Sequence, residues 1–351
     1  MSEARNLISA RFELRERSYL PLNPVQESAR SEVLAKMRDG RYAFATRPCQ
    51  LCGARDFILL AERDRYSLPV RTMLCRNCGL LMTNPVMREA DYADFYQHHY
   101  TALYEGFQFP VDEFFDNQMA AGKRLHDTVK LHVDLKDRVL AEVGCAAGGI
   151  LFYLQRHCRR VTGCDYGTAF LKSGVARGLN LKVGGIDALA GEKADVILYS
   201  HVLEHVYDIG GELGRVHDML PDNGLLLVDV PGIFNIEQAY QADYLRYLQN
   251  AHLFQFTTRT LTGLMARHGF RALHVDARCI GIFEKAPRGS VSFAPDADEH
   301  VKILAFLKEI EGRYLLYRLK ALPRTWLVAA LKALGIHDAV RSGYRRIFGT
   351  R

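Results

Sequence analysis

The sequence predicts an α/β fold built on a mostly parallel sheet, preceded by a cysteine-rich module and followed by a basic helical tail. Three observations carry this. From Val129 to Ala286 short apolar runs alternate with helical stretches. A glycine-rich turn directly follows the first of those runs, and Cys-x-x-Cys-Gly occurs twice between residues 48 and 84.

In chain order, residues 1–47 are polar, mixed in charge and broken by Pro21 and Pro24, and are expected to form an N-terminal arm with one helix near Ser28–Arg38. Residues 48–128 are read as a metal-binding module with a tyrosine-rich helical connector. Residues 129–286 form the α/β domain, with strands expected at Arg138–Val143, Arg160–Cys164, Leu181–Val183, Asp195–Tyr199, Gly224–Asp229, Arg271–Val275 and Ile280–Phe283. In the tail, residues 287–351, Ile303, Phe306, Leu307, Ile310, Tyr314 and Tyr317 recur at helical spacing, and Pro323 is expected to divide this helix from a second one carrying Trp326, Leu327, Leu331 and Leu334.

Cys49-x2-Cys52 and Cys75-x2-Cys78 are 22 residues apart, the spacing of two knuckles that fold onto one tetrahedral zinc ion. Gly53 and Gly79 follow the two pairs and can take the left-handed turn that closes a knuckle. Four thiolates leave no coordination position for water, so a structural rather than a catalytic ion is expected. An electron-transfer iron site has the same ligands and fits less well.

The turn Glu142-Val-Gly-Cys-Ala-Ala-Gly-Gly149 runs from a buried strand into a helical pattern. Gly144, Gly148 and Gly149 let the backbone approach a ligand near a helix start. Such a loop suits a dinucleotide or another nucleoside cofactor. Glu142 favours the second, because it would repel a pyrophosphate but could face the amine or sulfonium of S-adenosylmethionine. Asp165 then ends the second strand where an α/β fold presents a carboxylate to ribose hydroxyls, and Asp187 follows the third strand, placed to receive an adenine amino group.

With Gly163-Cys-Asp165, Ala194–Val206 followed by Asp208, Leu220–Pro231 and His268-Gly-Phe270 in the same order, the chain resembles the class I S-adenosylmethionine-dependent methyltransferases over Leu131–Val275. Ala146 replaces the middle glycine of that family's loop. The resemblance implies a Rossmann-like seven-stranded sheet and a cofactor site formed by Glu142, Gly144, Cys145, Gly148, Asp165, Tyr166, Asp187 and Ser200. Cys49–Gly53, Cys75–Pro85 and the stretch with Tyr92, Phe95, Tyr96, Tyr100 and Tyr104 resemble the zinc-bearing methyltransferases of polysaccharide and deoxysugar biosynthesis, in which the tyrosine-rich stretch lies over the cofactor. That resemblance implies a sugar or glycan acceptor.

His201-Val-Leu-Glu-His205 also spells the H-x-x-E-H pattern of certain zinc proteases. It begins at a strand end rather than inside a helix, so the protease reading is set aside. Methyl transfer to an alcohol needs an in-line acceptor and a base for its proton. His201, at the carboxyl edge of the sheet, and His252, in the tyrosine-rich insertion Ile233–Thr257 with Tyr240, Tyr244 and Tyr247, are the expected candidates. Tyr240 is grouped with them as a catalytic residue, and His205 ranks behind.

The formal charge of +6 is unevenly spread. Residues 301–351 carry eleven Lys and Arg against three Asp and Glu, +8, whereas residues 1–300 hold 35 and 37, −2. The body therefore lacks the cationic face a nucleic acid needs, and nucleic acid is not the expected partner. The tail could meet an anionic membrane surface or pack on the domain with a solvated basic face. No apolar run approaches the roughly 18 residues of a membrane span, and the N-terminus lacks a signal-peptide core, so a cytoplasmic location is expected, peripheral to the inner face of the membrane if the tail binds lipid. The leading expectation is O-methylation of a sugar with a histidine base. Carbon methylation of a deoxysugar, a zinc-ribbon RNA-binding methyltransferase and a non-catalytic scaffold of glycan assembly are the alternatives.

Overall fold

The computed structural model describes residues 6–104, 106 and 111–333. Its centre is a seven-stranded sheet: β1 (Val139–Val143), β2 (Arg160–Asp165), β3 (Leu181–Val183), β4 (Val196–Ser200), β5 (Leu225–Asp229), β6 (Phe270–Val275) and β7 (Ile280–Lys285). All seven expected strands are present, with ends within two residues of the sequence reading. The spatial order is β6-β7-β5-β4-β1-β2-β3, and β7 alone runs against its neighbours. Helices on both faces explain why β1, β4 and β5 read as unbroken apolar runs rather than alternating ones. The register pairs Glu142 with Gly163 and with Leu198, and Asp229 with Ser200, so the carboxyl ends of β1, β2, β4 and β5 lie along one edge. Strand order reverses between β1 and β4, where an open α/β sheet opens a crevice for ligand.

The cysteine module adds a second sheet. Phe57–Ala61, Thr72–Cys75 and Leu81–Thr83 pair antiparallel, and the fourth strand, Phe254–Gln255, comes from the insertion after β5. The two segments therefore fold as one unit, and Thr83 holds the insertion by donating its N–H to the Leu253 carbonyl and its hydroxyl to that of His252 (2.9 and 3.1 Å).

The N-terminal helix begins earlier than the apolar pattern suggests, at Pro24, because Asn23 and Gln26 form a reciprocal capping box and Pro24 occupies the first helical position. Phe12 and Ile8 share a buried cluster with Ile58, Leu74, Tyr244 and Tyr247, and with Ile303, Leu307 and Ile310 of the tail. The tail forms a single helix, Glu299–Ala333, not the two expected. Pro323 does not end it: an interior proline removes one backbone hydrogen bond and can be absorbed as a local bend. Ile303, Leu307 and Ile310 are buried, so this part of the apolar stripe is spent on packing within the protein. The expected contribution of Leu334 and of the basic residues Arg341, Arg345, Arg346 and Arg351 lies outside the described residues.

Candidate active site

The turn after β1 is held from both sides. Gly144 has φ +73°, and a side chain there would meet Val202 Cγ2 at 2.4 Å, so the turn and the segment after β4 approach as closely as only glycine permits. Asp165 accepts N–H bonds from Ala146 (2.9 Å) and Gly167 (2.6 Å), tying the turn to the end of β2. Ala146, the departure from the family loop, has φ +46° and still makes the turn. Gln118, from the helix Val111–Val129, donates to the Cys145 carbonyl and accepts from the Gly149 N–H (3.1 and 3.2 Å). No sequence signal pointed to it.

Glu142 is 1% exposed, and its Oε2 has no hydrogen-bond partner among the described residues. Burial, with Asp165 nearby, holds its carboxyl well above the usual carboxylate range. A buried acceptor without a donor fits a cationic ligand, and the residues of this crevice therefore suit S-adenosylmethionine. The other expected contacts are arranged around it in different ways. Gly148, in the left-handed conformation, starts the helix Gly149–Leu154. Cys145 is fully buried, and its N–H donates to the Cys164 carbonyl. Tyr166 is exposed beside Gly185, next to the short turn that carries the exposed Asp187. Ser200 Oγ lies 3.5 Å from Asp229 Oδ2.

Beyond β4 the chain makes an unusual turn. His201 has φ +55°, a strained value for a residue with a side chain, and donates its N–H to the Asp229 carbonyl at 2.7 Å. Its imidazole is exposed, and Nδ1 lies 3.7 Å from Glu204 Oε1. That same oxygen is 3.7 Å from His205 Nε2 and 3.8 Å from His252 Nε2. Glu204 is buried and neither of its oxygens has a hydrogen-bond partner among the described residues. Burial lowers the His205 and His252 pKa values, His252 well below the usual imidazole range with His205 and Arg65 alongside, so both are neutral. Desolvation opposes protonation of His201 as well, but the Glu204 and Asp229 carboxylates outweigh it and push its pKa up to about 9.

The tyrosine-rich stretch meets this cluster. Tyr96 hydroxyl lies 2.6 Å from His205 Nδ1, inside a single π-helical turn, Tyr96–Tyr100. Tyr92 hydroxyl reaches the carbonyls of His205 and Ala251, and Tyr104 hydroxyl accepts from the Ala251 N–H. These three tyrosines thus brace the histidine cluster, a placement the resemblance did not imply. Tyr240 stands one ring away, edge-on to Tyr247 at 5.1 Å, and Tyr247 lies 6.0 Å from His252. The H-x-x-E-H spelling did mark Glu204, but only as a partner of His201 and His205; nothing in the sequence joined it to His252.

Cys49, Cys52, Cys75 and Cys78 bring their sulfurs within 4.8 Å of one another, a group that could hold a metal ion. The Cys49–Cys78 and Cys52–Cys75 separations are both 3.5 Å. Gly53 and Gly79 take the left-handed conformation, and their N–H groups return to the carbonyls of Cys49 and Cys75. The cluster fits a zinc site.

A family model described as a methyltransferase domain matches residues 115–275. Residues 115–275 are a class I methyltransferase domain. The chain thus carries, over these residues, a domain of the S-adenosylmethionine-dependent methyltransferase kind. Its sheet is similar to those of an S-adenosylmethionine-dependent methyltransferase from Mesorhizobium loti (16% identical over 46% of this chain and 96% of that one, TM-score 0.37) and of the 1,6-didemethyltoxoflavin-N1-methyltransferase of Burkholderia thailandensis (18%, 59% and 96%, TM-score 0.41). It is also similar to that of an amino pentose methyltransferase of calicheamicin biosynthesis from Micromonospora echinaspora (14%, 51% and 98%, TM-score 0.36). No curated protein matches the chain. In the structure, the expected cofactor residues of β1, β2 and β4 share one sheet edge, and His201 and His252, far apart in sequence, meet at Glu204. Among the described residues no helix is long and apolar enough to cross a membrane.

Proposed function

We propose that this methyltransferase transfers a methyl group to a hydroxyl oxygen of a sugar, free as a nucleotide sugar or within a surface glycan, with His201 as the base and a structural zinc ion in the four-cysteine cluster. One observation supports the base assignment above others: His201 is exposed at the carboxyl edge of β4, next to Val202, which packs against the Gly144 turn of the cofactor crevice. An acceptor resting there would lie between the crevice and the imidazole. As the acceptor oxygen bonds to the methyl carbon, its proton passes to His201 and the carbon–sulfur bond breaks, leaving neutral S-adenosylhomocysteine. Because Glu204 and Asp229 raise the His201 pKa to about 9, the neutral imidazole that accepts the proton is the minor form at pH 7, and turnover should rise with pH up to about 9.

The sugar class rests on the resemblance of Cys49–Gly53, Cys75–Pro85 and the tyrosine-rich stretch to glycan methyltransferases, and on a body, residues 1–300, that is slightly acidic. The basic residues late in the tail are read as facing an anionic lipid surface. Replacing Arg341, Arg345, Arg346 and Arg351 by Gln should then abolish co-sedimentation with anionic liposomes, and unchanged sedimentation would refute it.

The test of the activity is incubation with methyl-labelled cofactor and nucleotide sugars or extracted glycans. The label is expected in an O-methyl ether. His201→Ala should lower kcat by about 10²–10⁴-fold with cofactor affinity retained. Label on carbon, or in RNA and in no sugar, would overturn the reading.

A further inference from the structure

Glu204 poses a problem that methyl transfer by His201 does not solve. Its carboxylate is 1% exposed, yet neither oxygen accepts a hydrogen bond among the described residues. A buried anion without donors is costly unless a cation satisfies it. Two imidazoles surround it in addition to the exposed His201: His205 Nε2 at 3.7 Å and His252 Nε2 at 3.8 Å, with the three ligand atoms all within 4.8 Å of one another. Ligand atoms around a tetrahedral ion with bonds of about 2.1 Å stand about 3.4 Å apart; the two Glu204–histidine separations exceed this by only a few tenths of an ångström, and the whole set, within 4.8 Å, would have to draw in around an ion.

We propose that Glu204, His205 and His252 form a second metal site, distinct from the four-cysteine cluster, that takes a divalent cation of the zinc class. Two nitrogens and one carboxylate oxygen suit such an ion better than they suit Mg²⁺ or Ca²⁺, which demand oxygen alone. The outer shell is in place on one side: Tyr96 hydroxyl, 2.6 Å from His205 Nδ1, can accept that N–H and so turn the Nε2 lone pair toward Glu204. Gln249, anchored by Arg65 through a 3.0 Å bond, presses its amide against both ring nitrogens of His252 and is the group an entering ion displaces. His252 is fixed from behind by Thr83 of the cysteine module, so the site draws on two sheets. Three protein ligands leave a coordination position for solvent or an acceptor oxygen, and His201 stands on the exposed side of the same carboxylate. The H-x-x-E-H motif is thus re-used: Glu204 and His205 act as ligands, with His252 in place of the first histidine.

The experiment is metal analysis of the purified full-length protein after dialysis against Zn²⁺, without cofactor or acceptor, so its outcome is separate from the O-methylation reading. Two equivalents per chain are expected. Glu204→Gln and His252→Ala should each hold one equivalent. After Co²⁺ exchange, the thiolate charge-transfer absorption of the cysteine cluster should be intact in both variants and only the weaker bands of the nitrogen–oxygen site lost. Retained thiolate absorption with native circular dichroism verifies folding, and His205→Gln provides a second variant should either fail that check. One equivalent in the folded wild type, or two in every folded variant, overturns the proposal.

Discussion

Glu142 concentrates the conflict between stability and function in one side chain. Its buried carboxyl, beside Asp165, is held well above the ordinary range, whereas in the unfolded chain it titrates normally. A carboxyl raised by folding contributes its stability below the unfolded pKa and loses it as pH rises through the folded value. In the cofactor-free protein, Glu142→Gln should therefore raise the denaturation midpoint at pH 8, by about 1–3 kcal/mol of stability, and leave it nearly unchanged at pH 4. The same variant should bind S-adenosylmethionine at least about ten-fold more weakly by calorimetry, since a neutral amide gives up the charge that a sulfonium or ammonium would meet. An E142Q protein no more stable at pH 8 than the wild type would show that the carboxyl finds a partner without the ligand. The acid at the end of the first strand was legible as a feature of the loop; its burial was not, because exposure depends on the neighbouring strands and not on Glu142 itself.

At the scale of elements, the tail helix is secured by a polar clasp as well as by its apolar stripe. Arg11 bridges Asp243 and Glu311, both at 2.7 Å, and its guanidinium lies 3.5 Å from the centre of the Tyr314 ring. Tyr19 hydroxyl joins Asp243 and the Tyr314 hydroxyl. Three distant segments, arm, insertion and tail, converge on these few side chains. Arg11→Ala leaves two partly buried carboxylates without their cation and should cost about 2–3 kcal/mol in chemical denaturation. It should also admit protease within Glu299–Ala333. Arg41→Ala, which removes an exposed pair with Asp39, is the control and should change neither. Helical spacing announced the stripe of Ile303, Leu307 and Ile310, but a stripe has the same spacing whether it meets lipid, another helix or, as here, an insertion.

Across the whole molecule, the cysteine module is not a detachable ribbon. Cys49, Cys75 and Cys78 belong to the same buried cluster as Val143, Ile197 and Tyr199 of the central sheet, and the module's sheet is completed by Phe254–Gln255. Calorimetry should accordingly record one unfolding transition, whose midpoint falls when chelation strips any metal held by the four cysteines or when Cys78→Ser breaks the cluster. Two separate transitions would contradict the shared core. Since His252 lies two residues before the strand that completes this sheet, loss of a metal held by the four cysteines should also depress turnover before it affects cofactor binding at β1 and β2.

The sequence by itself determined the alternation of strands and helices, the glycine turn, and the two cysteine knuckles. Each is written in spacing between near neighbours, through a period of burial, a left-handed turn or a fixed ligand interval. Only the tertiary structure decided that His252 joins Glu204 and His205, that the tyrosines brace those histidines, and that the tail's apolar stripe packs on the insertion. These meetings join residues far apart in the chain, and they depend on where the sheet edge and the returning insertion bring side chains together. No local pattern records that distance.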